Sequence, residues 1–218
     1  MKQNLLKLVL LGSTLSMALC GCGETPTEEP TSTQTEEVTN TPTETVESNT
    51  LEAALVGIAQ GKTCYLTTVG QADSDIVGNV FKKANAVGAY TTETMLTADQ
   101  VEDGSVVFLT LGASSKGLGQ AGVDEKFEKD RAAAFSQAAS EGKFTLILFH
   151  VGGTARRGTS SDPIIEAAFP GASACFVVST GNADGFFTSL ASSNNVSLYS
   201  VDKSLELVDY AKGLFGNA

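Results

Sequence analysis

Apolar residues fall into three regimes along this chain. Residues 8–19 form one apolar run, residues 23–50 hold only Val38 and Val46 among Thr, Glu, Pro, Ser and Asn, and from Leu51 onward short apolar runs alternate with segments of helical period. In the last regime, the runs at 63–69, 106–111, 144–149, 174–179 and 196–201 predict strands, with a weaker one at 90–95. Helices are predicted over 73–87, where Ile76, Val77, Val80 and Phe81 share a face, over 124–140, near 163–169 and 185–193, and over 204–215. Residues 51–60 read as a short lead-in helix or a strand approach, ended by Gly61.

Near-continuous apolar strands that alternate with helices predict a parallel sheet covered on both faces. The expected fold is a three-layer, doubly wound α/β sandwich with a mostly parallel sheet of five to six strands. The flavodoxin-like strand order is expected, with the Rossmann-like order as the alternative. Abundant Gly and Ala and the absence of Trp suit helices packed tightly on a sheet.

The first regime reads as an export signal. Lys2 and Lys7 precede the apolar run, which is shorter than the roughly 20 residues a membrane-spanning helix needs. Leu19-Cys20-Gly21-Cys22 follows, and the segment resembles a bacterial lipoprotein signal, in which the cysteine after the cleavage point carries the lipid. Leu19 and Gly21 stand at the matching offsets from Cys22 rather than from Cys20. The expected organisation is therefore a signal over 1–21, a lipidated Cys22 with a polar tether to residue 50, and one α/β domain over 51–218. The tether buries too little apolar surface to offset its ordering entropy and is expected to be disordered, with an end-to-end distance of roughly 30 Å. The expected address is the extracytoplasmic face of a bacterial membrane, and the expected partners are that membrane, through the lipid, and a small ligand. Oligomeric state and tether glycosylation stay open.

Charge narrows the ligand. The full chain carries −11, and from Leu51 onward there are 18 acidic and 12 basic residues, so the domain is near −6. No basic footprint for nucleic acid is present at this level. Cys64 and Cys175 lie in apolar runs and are expected to be buried thiols rather than a disulfide.

Ligands of doubly wound sheets sit beyond the carboxyl ends of the strands. Four predicted strands end in polar, glycine-bearing loops: Gly70-Gln71-Ala72-Asp73, Gly112 to Gly122, His150 to Gly158, and Thr180 to Gly185. Within the second, 117–122 satisfies the G-x-G-x-x-G pattern, but it stands five residues beyond Gly112, and the next strand ends in His150 rather than an acidic residue. No cofactor is expected on that match. Ser114, Ser115, Lys116, Gly117 and Gly119, with Gly152, Gly153, Arg156 and Arg157, offer backbone N–H groups and cations for an anion, and Gln71, Asn182 and Asp184 complete the expected site. The competing reading pairs the arginines with Asp162 or Asp184. With one His and no Cys cluster, no metal site is expected.

These four motifs, in order, resemble a bacterial family of small α/β domains of unknown function, often exported, over roughly Lys62 to Val201. The resemblance implies the fold and brings no catalytic residues. The leading expectation is thus a tethered module that binds a small anion. The alternatives are an extracellular hydrolase or transferase with His150 or Asp73 as base, which requires His150 exposed at the rim, and a cell-envelope interaction protein.

Overall fold

The computed structural model describes residues 50–217. The expected signal, Cys22 and nearly all of the tether lie outside the described residues. Six parallel strands form one sheet in the order β2-β1-β3-β4-β5-β6. They are β1 Cys64–Val69, β2 Thr91–Thr92, β3 Val106–Leu111, β4 Thr145–His150, β5 Ala174–Val178 and β6 Ser197–Val201. This is the flavodoxin-like order extended by one strand, and the direction of travel across the sheet reverses between β1 and β3.

The reversal divides the helices between the two faces, because crossovers keep one hand. Helices α1 Ser74–Lys83 and α6 Leu207–Phe215 cover one face, and α2 Ser115–Ala121, α3 Glu125–Ser140, α4 Asp162–Ala168 and α5 Phe186–Asn194 cover the other. Strand alternation feeds both layers from the same segment. In β3, Val106 and Phe108 face α1 and α6, while Val107, Leu109 and Leu111 face α3 to α5, and all six of its residues are buried. On the first face Phe81 meets Phe108, Tyr90, Phe215 and Phe149 edge-on at 4.9–5.8 Å, the offset geometry aromatic quadrupoles favour.

Several elements depart from expectation. Residues 51–60 form turns, neither helix nor strand; Leu55 and Ala59 are buried, and Gly57 N and Ala59 N donate to Gly213 O (2.8 Å) and Leu214 O (3.0 Å) at the end of α6. The strand expected over 90–95 shrinks to Thr91–Thr92, both exposed at the sheet edge and paired with Tyr65 and Leu66. The helix expected over 73–87 stops at Lys83, and the last helix opens with a 3₁₀ turn, Ser204–Glu206. Helix α2 was not expected at all. Cys64 and Cys175 are free and buried, with two strands between them, and burial pushes the Cys64 thiol up to about 11.

Candidate functional site

Because every strand is parallel, the four glycine-bearing loops leave the same edge of the sheet, as expected. At the reversal point the loops after β1 and β3 are stitched together: Gly112 N donates to Val69 O at 3.2 Å and Ser114 N to Gly70 O at 2.9 Å. A Cβ on Gly70 would overlap the Gly112 carbonyl, so glycine is required for that approach, and Gly70 also has φ +91°. Gln71 and Asp73 both adopt left-handed backbone at φ 58° and 64°, a conformation uncommon outside glycine and concentrated at functional or tightly constrained sites.

Helix α2 follows directly on β3. The Ser114 hydroxyl caps it by accepting from Gly117 N (3.2 Å), and Leu118 anchors it in the core. The G-x-G-x-x-G match lies inside this helix, not at the strand-to-helix turn of a phosphate loop. Gly117 is there because a Cβ would strike the Gln71 carbonyl, and Gly122 is the left-handed C-cap at φ 70°.

Arg156 sits above the stitched loops. Gly112 and Gly152 make room for it: a Cβ on Gly112 would lie 2.9 Å from Arg156 Cβ, and one on Gly152 would overlap both Arg156 Cγ and Asp73 Oδ2. Arg156 Nε donates to the two Asp73 oxygens at 3.3 and 3.2 Å. Its Nη1 and Nη2 groups, four N–H donors, have no acceptor among the described residues, and the side chain is 31% exposed. Lys116 and Ser115 are exposed on the first turn of α2, and Lys116 forms no ion pair among the described residues.

Arg157 has no such donors. Nε and Nη2 fork onto Asp162 at 2.8 and 3.2 Å, Nη1 and Nη2 fork onto Asp184 at 3.1 and 3.0 Å, and Nη1 also donates to Gly181 O. All five N–H groups are thus used, and the guanidinium lies 3.9 Å from the centre of the Phe186 ring. The pairing reading holds for Arg157, against both Asp162 and Asp184. The Arg157 hydrogen bond holds the Asp184 carboxyl below its ordinary value. Asn182 accepts from Phe187 N (2.8 Å) and Thr188 N (3.2 Å) and so caps α5. Gln71 turns inward to Glu128 Oε1 at 2.9 Å. Gly153, left-handed at φ 56°, lies against the Thr180 hydroxyl, and Gly119 faces open space.

His150 is fully buried. Nδ1 lies 3.1 Å from Leu111 O and Nε2 3.1 Å from Gly153 O, and a Cβ on Gly181 would come within 2.6 Å of the ring. The exposure required of a catalytic base is therefore not met. Burial is the main cause that lowers its pKa, against the two carbonyl contacts, which favour the charged ring. Asp73, the other base considered, is engaged by Arg156.

The sequence reading missed Glu128 and Arg131. Both are buried on α3, where Glu128 Oε2 accepts from Gly70 N (2.8 Å) and from Arg131 Nη2 (2.7 Å). Arg131 Nη1 also ties in the loop after β2, through Thr94 O (3.1 Å) and Leu96 O (2.8 Å). The signal was present: 128 and 131 stand four residues before Ala132 and Phe135, on the face that is buried.

A groove of about 690 Å³ opens on the far side of α3, between that helix and the 3₁₀ turn Ala98–Gln100. Val101, Phe127, Ala134 and Ala138 line its apolar part; Asp99, Asp103, Asp130 and Glu141, with the cations Arg131 and Lys143, supply its charged part. A hydrogen bond with Thr97 is the main cause that holds Asp99 below the ordinary carboxylate value. Among the described residues, no group of His, Cys, Asp and Glu is arranged to hold a metal ion, and no helix is long and apolar enough to cross a membrane.

Fold and rim together define a doubly wound α/β domain whose reversal-point loops are tied to one another by their own backbone and side chains. Residues 62–215 match the model of a domain of unknown function (DUF6305), and the chain belongs to that family. No curated protein and no solved structure matches the chain.

Proposed function

We propose that this protein is a lipid-anchored extracytoplasmic module whose α/β domain binds a small anion at the β1/β3 reversal point, with Arg156 and Lys116 as the charged donors. One observation carries the reading. Arg156 is held at the place where doubly wound sheets take ligands, its stem cradled by Gly112 and Gly152 and its Nε fixed by Asp73, while its Nη face has no acceptor among the described residues. A guanidinium oriented by a carboxylate is prepared to fork onto a carboxylate or phosphate group. Two left-handed non-glycine residues beside it supply further support. Arg157, Asn182 and Asp184 act in this reading as the frame of the loops rather than as ligand contacts.

The test is thermal-shift and calorimetric titration with phosphate, sulfate, small carboxylates and nucleotides. A ligand at 100 times its Kd stabilises the native state by about 2.7 kcal/mol. At least one of these anions is expected to raise the unfolding temperature, and Lys116→Ala and Arg156→Gln are each expected to weaken it about tenfold. No shift from any of the anions, or an unchanged shift in both variants, rejects the reading.

A further inference from the structure

The groove on α3 differs from the rim in both polarity and charge. Its volume, about 690 Å³, lies within the range of small-molecule sites, roughly 300–1,000 Å³. Its depth comes from small residues: Ala134 and Ala138 on α3 present only methyl groups where the facing turn brings Val101. Phe127, a large apolar side chain left 43% exposed, stands beside them. The walls are built in advance. Arg131 holds Thr94 O and Leu96 O against α3, and Thr97 N donates to Gln100 Oε1 at 2.8 Å to close the turn. A ligand would therefore order little on entry.

The charge is acidic in balance, with Asp99, Asp103, Asp130 and Glu141 against Arg131 and Lys143 in the lining. Asp130 is paired with Lys126, Glu141 with Lys143, and Arg131 with Glu128. Asp99 and Asp103 form no salt bridge among the described residues, although Asp103 is near enough to Lys143 to help raise the pKa of its ammonium. The segment 23–50, with seven glutamates, is an unsuitable occupant because it repeats the sign of the groove. We propose that this groove binds a small organic amine with an apolar body, the ammonium at Asp99 and Asp103 and the hydrocarbon on Val101, Phe127, Ala134 and Ala138. Neither half of that ligand suits the anion site at the rim.

Isothermal titration with phenethylamine, methylammonium and phenylpropionate tests both halves. Phenethylamine is expected to bind, methylammonium at least tenfold more weakly, and phenylpropionate not at this groove. Replacing Asp99→Asn together with Asp103→Asn is expected to weaken phenethylamine about fivefold at low salt, with the difference shrinking as ionic strength rises. Ala134→Lys, at an exposed helical position that tolerates the change, fills the groove and adds a like charge, so binding is expected to fall at least tenfold. Arg156→Gln should leave phenethylamine affinity unchanged, which separates this site from the rim. Equal binding of methylammonium and phenethylamine, undiminished binding in Ala134→Lys, or no binding by wild type overturns the proposal.

Discussion

Arg156 and Arg157 are neighbours with the same side chain, and the acceptors around them set their roles apart. Arg157 meets two carboxylates and a carbonyl and uses every donor, whereas Arg156 meets one carboxylate through Nε alone. No local pattern in Ala155-Arg156-Arg157-Gly158 distinguishes them, since Asp162 is close in sequence but Asp73 and Asp184 come from other loops. His150 shows the same dependence. A strand-end histidine is more often packed and hydrogen-bonded than a catalytic base, and here its ring is turned under Gly181 and against Phe187, 4.7 Å away between centroids. Its lowered folded pKa gives a pH dependence whose sign follows from linkage. Below the unfolded value, near 6.5, the unfolded chain takes up a proton that the folded chain resists, so stability falls as pH drops from about 7.5 toward 5.5. The slope from this one group is at most about 1.4 kcal/mol per pH unit. Urea midpoints across that window should show the decline, and His150→Gln should flatten it; equal slopes in the two proteins would remove His150 as the cause.

At the scale of elements, strong strands were legible because continuous apolar runs have few alternatives, and β1, β3, β4, β5 and β6 lie within a residue or two of expectation. Helix α2 was not legible because Ser115–Ala121 contains two glycines, each of which disfavours helix by about 1 kcal/mol relative to Ala. Tertiary contacts offset that deficit through the Ser114 cap, buried Leu118 and the fit of Gly117 on the Gln71 backbone. The two glycines accordingly differ. Gly117→Ala is expected to destabilise by about 1–3 kcal/mol through overpacking, while Gly119→Ala, which points into open space, is expected to stabilise by about 0.4–1 kcal/mol. Chemical denaturation of both variants measures the contrast, and a similar loss in both would mean that helix propensity, not the Gln71 contact, governs α2.

For the whole molecule, the distribution of charge matters more than its sum. A domain near −6 still places Arg156 and Lys116 at one end of the sheet and the carboxylates of Asp99 and Asp103 on the flank of α3. The two proposed sites therefore select ligands of opposite sign, and the buried Glu128–Arg131 pair lies between them, holding Gly70 on one side and the Thr94–Leu96 loop on the other. The proposed anchor acts at this scale too, by setting which solvent those sites meet. Cells expressing the full chain and fed labelled palmitate should incorporate label that Cys22→Ser abolishes and Cys20→Ser retains. Label kept in Cys22→Ser would move the anchor or remove it.

Period and composition alone specified the class of this protein: a parallel sheet between two helical layers, strands long enough to cross it, and an edge on which four glycine-bearing loops must meet. Those features follow from local chemistry and from the handedness of connections, which every residue window carries. The pairing of Arg156 with Asp73 and of Arg157 with Asp162 and Asp184, the burial of His150, the inward turn of Gln71 to Glu128 and the groove beside α3 depend on residues far apart in sequence, 83 positions in the case of Asp73 and Arg156. Such distances are set only when the chain closes on itself, because hydrogen-bond geometry and backbone clearance at Gly70, Gly112, Gly117 and Gly152 are properties of contacts and not of segments.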